Sequence, residues 1–257
     1  MSTPPSLDLS DQLILITGGS GALGQVICQT LIGAGARVAS LDLAAPAEPT
    51  DALAGELFWH RDTDIADVGD VDAALADCHE RFAAWPTTVL CHAGVVGTHP
   101  LVDYPLDEYD GLMRTNVRGA YVPARQAARI WLEHGIAGHL VFTTSWVHQV
   151  PWPEIGPYSA SKAAMVQLAR SFARELAPQG IRANAVAPGI VGAGMALHQW
   201  NTDDDYRRRA ARAIPLGTLQ TPQSVADAFL FLCSPLASYM TGSVLSVDGG
   251  AGLYPMD

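Results

Sequence analysis

The sequence predicts one α/β domain, residues 1–257, built on a doubly wound parallel sheet of about seven strands with helices on both faces. Three observations carry this expectation. Short runs rich in β-branched and other apolar residues alternate with segments of helical periodicity from one end to the other, the pattern of βαβ units. No Pro/Ser/Gly linker, low-complexity tract or internal repeat interrupts the alternation. A chain of 257 residues that is 49% apolar can bury a large core without dividing into two domains.

The elements follow in order. QLILIT is the first strand and 23–34 the first helix; RVASL is the second strand, and a loop leads to ELFWH as the third. A helix at 67–84 precedes the strand TTVLC, and a long helix at 106–134 precedes HLVFTT. In the helix expected over 158–177, Met165, Leu168, Phe172 and Leu176 recur at helical spacing, and Pro178 and Gly180 stop it. IRANAV, a helix at 222–233 and the strand SVLSV complete the series. Residues 192–214 read as an insertion between a strand end and the next helix, where a mobile substrate lid is expected. Its Asp203–Asp205 followed by Arg207, Arg208, Arg209 and Arg212 suit either a solvated helix face or the capture of an anionic group.

Charge narrows the partners. A net charge of −11 leaves no basic stripe for phosphate backbones, so nucleic acid is not an expected partner and small molecules are. The N-terminus MSTPPSLDLSDQ is polar without a basic segment, and no apolar run approaches the roughly 18–20 residues that span a bilayer, which points to the cytoplasm. Cys28, Cys78, Cys91 and Cys233 are scattered without metal-ligand spacing, so buried reduced thiols are expected and no metal site.

QLILITGGSGALGQ places glycines between the first strand and the first helix. Glycine permits a tight turn and close backbone approach to a pyrophosphate, and the helix N-terminus offers free N–H groups and a positive dipole. A glycine-rich turn alone could simply be a turn. In its strand-before, helix-after context it predicts a Rossmann-type dinucleotide cradle from Gly18, Ser20, Gly21, Leu23 and Gly24. Asp42 ends the second strand, eighteen residues after Gly24, where a carboxylate accepts hydrogen bonds from the adenosine ribose and repels a 2′-phosphate. The cofactor expected is therefore NAD rather than NADP.

One lysine stands in the chain against fourteen arginines: Lys162, in GPYSASKAA, one helical turn after Tyr158. A phenol with a pKa of about 10 is too weak a base at neutral pH, and a neighbouring ammonium with a cationic nicotinamide would stabilise its phenolate. A compact ammonium also reaches two ribose hydroxyls more readily than a planar guanidinium does.

With these residues in view, the chain from 12 to 253 resembles the short-chain dehydrogenase/reductase family in its compact single-domain form. The resemblance rests on Y-S-A-S-K, on Ser145 thirteen residues before Tyr158, and on N-V-R-G at 116–119, D-I-A-D at 64–67 and N-A-V-A-P-G at 184–189. The ending I-P-L-G…V-D-G-G resembles the family's C-terminal third with its subunit-interface tail, which implies a homo-oligomer, a tetramer. The resemblance implies a catalytic tetrad of Asn116, Ser145, Tyr158 and Lys162. Ser145 would hold the reacting oxygen, Tyr158 would exchange the proton, and Asn116 would kink its helix and hold a water linking Lys162 to solvent. Asp64 and Ile65 would flank the adenine, Ala93 and Gly94 the adenosine side, and Pro188, Gly189 and Val191 the nicotinamide, with Tyr158 and Lys162 also touching the cofactor.

The chain departs from the family pattern in several places. Ala22 replaces a glycine, giving the T-G-x-x-G-x-x-G spacing of longer sugar-nucleotide epimerases and dehydratases without their C-terminal domain. His92 stands where the family has an amide, and Ala193 where it has a nicotinamide-binding threonine. His148 stands where a small residue is common. Trp146, His148 and Trp152, with Ser145 and Tyr158, would line the substrate pocket, and their faces suit a polyol or sugar as well as plain packing. The activity implied is NAD-dependent hydride transfer to or from a secondary alcohol, such as a polyol, sugar or hydroxy acid. The alternatives are a ketone or 3-oxoacyl reductase and a non-catalytic dinucleotide sensor.

Overall fold

The computed structural model describes residues 7–47 and 50–253; residues 1–6 and 254–257, which include the start of the polar N-terminus and the end of the tail, lie outside them. Its sheet has seven strands, every pairing parallel, in the order β3-β2-β1-β4-β5-β6-β7. The chain runs outward from β1 (Leu13–Thr17) through β2 (Arg37–Asp42) to β3 (Phe58–Asp62). It then returns to the centre as β4 (Thr88–Cys91) and runs outward again through β5 (His139–Thr143), β6 (Arg182–Pro188) and β7 (Val244–Val247). The order reverses between β1 and β4, so the loops leaving those two strands diverge and open a crevice at their carboxyl ends.

Every residue of β1, β4 and β5 is buried, as continuous apolar strands covered on both faces require. Alternate side chains of β1 serve opposite layers. Leu13 and Leu15 pack with Val71, Leu75, Trp131 and Met165 of α2 (Val68–Phe82), α4 (Gly119–His134) and α5 (Gly156–Leu176). Ile14 and Ile16 pack with Ile27, Leu31 and Phe229 of α1 (Ala22–Gly33) and α8 (Pro222–Cys233).

The helix expected over 106–134 is instead α3 (Leu106–Met113), a π-helical turn at Arg114–Arg118 and then α4. A run of i+3/i+4 apolar positions does not register one inserted residue, and a π turn is such an insertion. The loop after β2 carries a short 3-10 turn, Asp51–Ala54. The segment 192–214 forms two helices, α6 (Gly194–Thr202) and α7 (Asp204–Ala213). Asp203 caps α7 by accepting hydrogen bonds from the N–H groups of Asp205 and Tyr206, at 2.9 and 3.0 Å. Arg207 and Arg208 turn back three residues to Asp204 and Asp205, so acids sit at the positive end of the helix.

All four cysteines are buried, and burial raises their thiol pKa values. Among the described residues no helix is long and apolar enough to cross a membrane. No cluster of three or more His, Cys, Asp or Glu there could hold a metal ion.

Candidate active site

At the crevice, Gly18 has φ +75°, and a Cβ there would lie 2.7 Å from the Ala93 Cα, so only glycine lets the turn pass under the end of β4. A Cβ on Gly24 would strike the Gly18 carbonyl oxygen, so the third glycine lets α1 start directly beneath the turn. Asp42 ties this turn to β2: its carboxylate accepts from the Ser20 N–H at 3.1 Å and the Leu43 N–H at 2.8 Å. The Ser20 hydroxyl is buried without a protein partner. A bare glycine turn, a helix N-terminus and an orphaned hydroxyl fit a pyrophosphate.

Thr17 closes the other side of the crevice, its hydroxyl accepting from the N–H groups of His92 and Ala93 at 3.0 and 3.1 Å. His92 Nδ1 lies 3.1 Å from the Thr143 hydroxyl, and its ring meets Phe229 edge-on. Burial, with the Lys162 charge second, pushes its pKa down to about 3, so a neutral imidazole here spans β4 and β5 much as an amide would.

A cavity of about 620 Å³ runs from Gly21 and Asp42 past Asp64 and Ile65 to Ser145, Tyr158 and Lys162. Gly18, Leu23, Gly24, Ala93, Gly94, Pro188, Gly189 and Val191 line it as well; Ser20 and Asn116 are not among the residues lining it. The helical spacing of α5 puts Tyr158 and Lys162 on one face, and the lysine Nζ lies 5.4 Å from the phenol ring centre. Lys162 is 4% exposed, and its ammonium donates to the Thr143 carbonyl at 2.9 Å. Burial lowers its pKa to about 8. Burial also raises Tyr158 to about 12, against the lowering effect of its hydrogen bond with Ser145. The protein's own groups thus leave the phenol high, because desolvation of a phenolate outweighs the hydrogen bond from Ser145.

Asn116 sits at the centre of the π turn, 1% exposed. Its amide accepts from the Val95 N–H at 2.8 Å and donates to the Val95 carbonyl at 2.9 Å and the Ser161 hydroxyl at 3.0 Å. Those bonds brace the loop after β4 against α5 at the residue next to Lys162.

Sequence reasoning missed Arg114. Its guanidinium grips Asp64 with two hydrogen bonds, 3.2 and 2.7 Å, on the wall of the cavity, and holds that carboxyl below its usual range. No local spacing links positions 64 and 114; they meet only because the π turn follows β4 into the same crevice wall.

A second cavity, of about 280 Å³, adjoins Ser145 and Tyr158. Trp146, Val147, Trp152 and Ile155 wall one side, and Ala196, Gln199 and Tyr206 of α6 and α7 another. Trp146 and Trp152 meet edge-to-face, ring centres 5.4 Å apart. His148 lines neither cavity: its Nδ1 lies 2.7 Å from the Ser145 carbonyl, and that bond turns the ring onto its own loop. Ala193 lines the second cavity, in place of the family's threonine.

The enoyl-(acyl carrier protein) reductase family model matches residues 19–252. Glucose 1-dehydrogenase of Gluconobacter oxydans is 33% identical over 260 residues, covering 99% of this chain and 97% of its own. A 3-ketoacyl-(acyl carrier protein) reductase from Brucella melitensis, solved with NADH, superposes with a TM-score of 0.86 at 29% identity, over 96% of this chain and all (100%) of that one. A gluconate 5-dehydrogenase from Burkholderia cenocepacia, solved with NADP and tartrate, gives 0.87 at 27% identity over 95% and 96%. Fold, site and relatives together define an oxidoreductase acting on an alcohol or ketone. The chain belongs to the short-chain dehydrogenase/reductase family.

Proposed function

We propose that the protein is an NAD-dependent dehydrogenase of a small secondary alcohol, with Ser145, Tyr158 and Lys162 as its catalytic residues and Asn116 as the brace that positions them. The observation that carries this reading is the Tyr158 hydroxyl, bonded to Ser145 beside the chain's one lysine, at the junction of the two cavities. Ser145 holds the alcohol oxygen within reach of the phenol, and Tyr158 takes its proton. When bound, the oxidised nicotinamide supplies the hydride acceptor and a positive charge that favours the phenolate. Lys162 adds a second positive charge and holds the cofactor ribose.

Asp42 supports NAD, because its carboxylate lines the crevice where a 2′-phosphate would meet like charge. With solved relatives holding NADH and NADP, this is the residue on which the preference turns. Polyols, sugars and hydroxy acids are the substrate classes tried first. A 3-oxoacyl reductase is the second reading, supported by the Brucella relative. The helices at 192–214 serve as the substrate lid in this reading. A homotetramer in the cytoplasm accompanies it, and light scattering tests the assembly.

The experiment is NADH formation at mildly alkaline pH across polyols, aldoses, hydroxy acids and simple secondary alcohols. We expect NAD to exceed NADP by at least about tenfold in kcat/KM, a difference of about 1.4 kcal/mol, and Asp42→Ala to narrow the gap. Equal use of both cofactors by the wild type would overturn the assignment of NAD.

A further inference from the structure

Resting on the dehydrogenase reading above, we propose that the site selects an uncharged alcohol presenting a ring or other flat apolar face, and discriminates against carboxylate- and phosphate-bearing substrates. The cavity beside Tyr158 is bounded by aromatic and aliphatic side chains, and no charged side chain is among the described residues lining it. Apart from Ser145 and Tyr158, its polar side chains are Thr98, Gln199 and Tyr206, all neutral. An anion moved into this space would shed its hydration without a cation to replace it.

Four nearby cations, Lys162, Arg207, Arg208 and Arg209, are engaged elsewhere. Lys162 donates to the Thr143 carbonyl and lines the cofactor cavity instead. On the lid, Arg207 bonds the Trp200 carbonyl at 2.7 Å and pairs with Asp204, and Arg208 pairs with Asp205. The Arg209 guanidinium lies 5.8 Å from the centre of the Trp152 ring, a cation–π contact that an anion would have to disrupt. Meanwhile Trp146 and Trp152 line the cavity with indole surface, suited to an alicyclic or aromatic ring, or to the C–H face of a pyranose. Thr98, Gln199 and Tyr206 can satisfy one or two neutral polar groups of the substrate.

Matched neutral and anionic pairs test the proposal on the intact protein: methyl mandelate with mandelate, methyl 3-hydroxybutyrate with 3-hydroxybutyrate, and glucose with glucose 6-phosphate. Turnover is read as NADH formation. Binding is read separately, by competition of methyl benzoylformate and benzoylformate for the NADH complex, followed by fluorescence. The neutral member should lead by at least about tenfold in every pair that is accepted, in both readouts. The Arg209→Gln variant should keep the same neutral-to-anion ratio. An anion that equals or exceeds its neutral partner overturns the proposal, as does a loss in Arg209→Gln confined to anions. Turnover without charge discrimination would overturn this inference alone. Selective ketone binding with no turnover of any alcohol would leave it standing and overturn the dehydrogenase reading. Silence in both assays overturns both.

Discussion

Lys162 shows how a single residue can be costly to the fold while central to the site. Its pKa falls from an ordinary 10.5 to about 8 because burial disfavours the ammonium. Between those values the unfolded chain binds the proton and the folded protein does not, so this group makes stability rise with pH across that window. Below pH 8 the cost is fully present, on the order of 3 kcal/mol. Lys162→Met removes it; the variant's melting temperature relative to wild type should therefore be most favourable at pH 7 and decline towards pH 10.5, while turnover is lost. A relative stability that does not change with pH would mean the lysine is not desolvated. Tyr158→Phe should keep the fold and NADH binding and lower kcat by orders of magnitude, since only the proton carrier is removed. Both residues were legible because Y-x-x-x-K spans one helical turn, a local relation. The Arg114–Asp64 grip and the inward bond of His148 were not, because each depends on where a distant strand end or a loop carbonyl comes to rest.

At the scale of the element, the turn from β1 into α1 depends on close backbone contact rather than on side chains. A methyl group on Gly24 would collide with the Gly18 carbonyl, a backbone atom that cannot rotate away. Gly24→Ala should therefore lower stability by about 1–3 kcal/mol through overpacking and abolish NADH binding, measured by urea unfolding and fluorescence titration. Unaltered NADH affinity would remove the turn from the cofactor site. The same turn explains how Ala22 is tolerated: as the first residue of α1 it lies on the cavity wall, and Gly18 and Gly24 make the tight approaches. The strands and the glycine turn were legible from periodicity and punctuation. The π turn was not, since one extra residue leaves an amphipathic pattern almost intact, and the two helices of 192–214 lay hidden in a short, strongly charged segment whose cap, Asp203, reads equally well as loop chemistry.

Across the whole molecule, two histidines make the fold sensitive to acid. His139 begins β5 at 4% exposure, its Nε2 3.0 Å from the Asn184 amide nitrogen, and burial lowers its pKa well below 6.5. His92 falls to about 3 for the same reason. Unfolded, each takes a proton near pH 6.5; folded, each remains neutral, so stability is intact above that pH and declines as pH drops below it. Each contributes up to about 1.4 kcal/mol per pH unit in that range. Urea midpoints should fall between pH 7 and pH 5, and His139→Phe should flatten that fall; an unchanged slope would show that His139 accepts its proton in the folded state. A doubly wound parallel sheet of about seven strands followed from βαβ alternation, whereas the strand order and the placement of these neutral histidines required the packed sheet.

The buried lysine turns the protein into its own unfolding reporter. Lys162 is the only side-chain amine in the sequence, and it sits between α5 and the end of β5. An acylating reagent in solution therefore meets no competing lysine on the surface and, once NADH fills the cavity that Lys162 lines, reaches this one only when the body around it opens. Peptide mass separates its product from any on the α-amino group. The rate at which Lys162 becomes acylated would time the opening of the catalytic wall at one known nitrogen, much as a single protected amide does in hydrogen exchange.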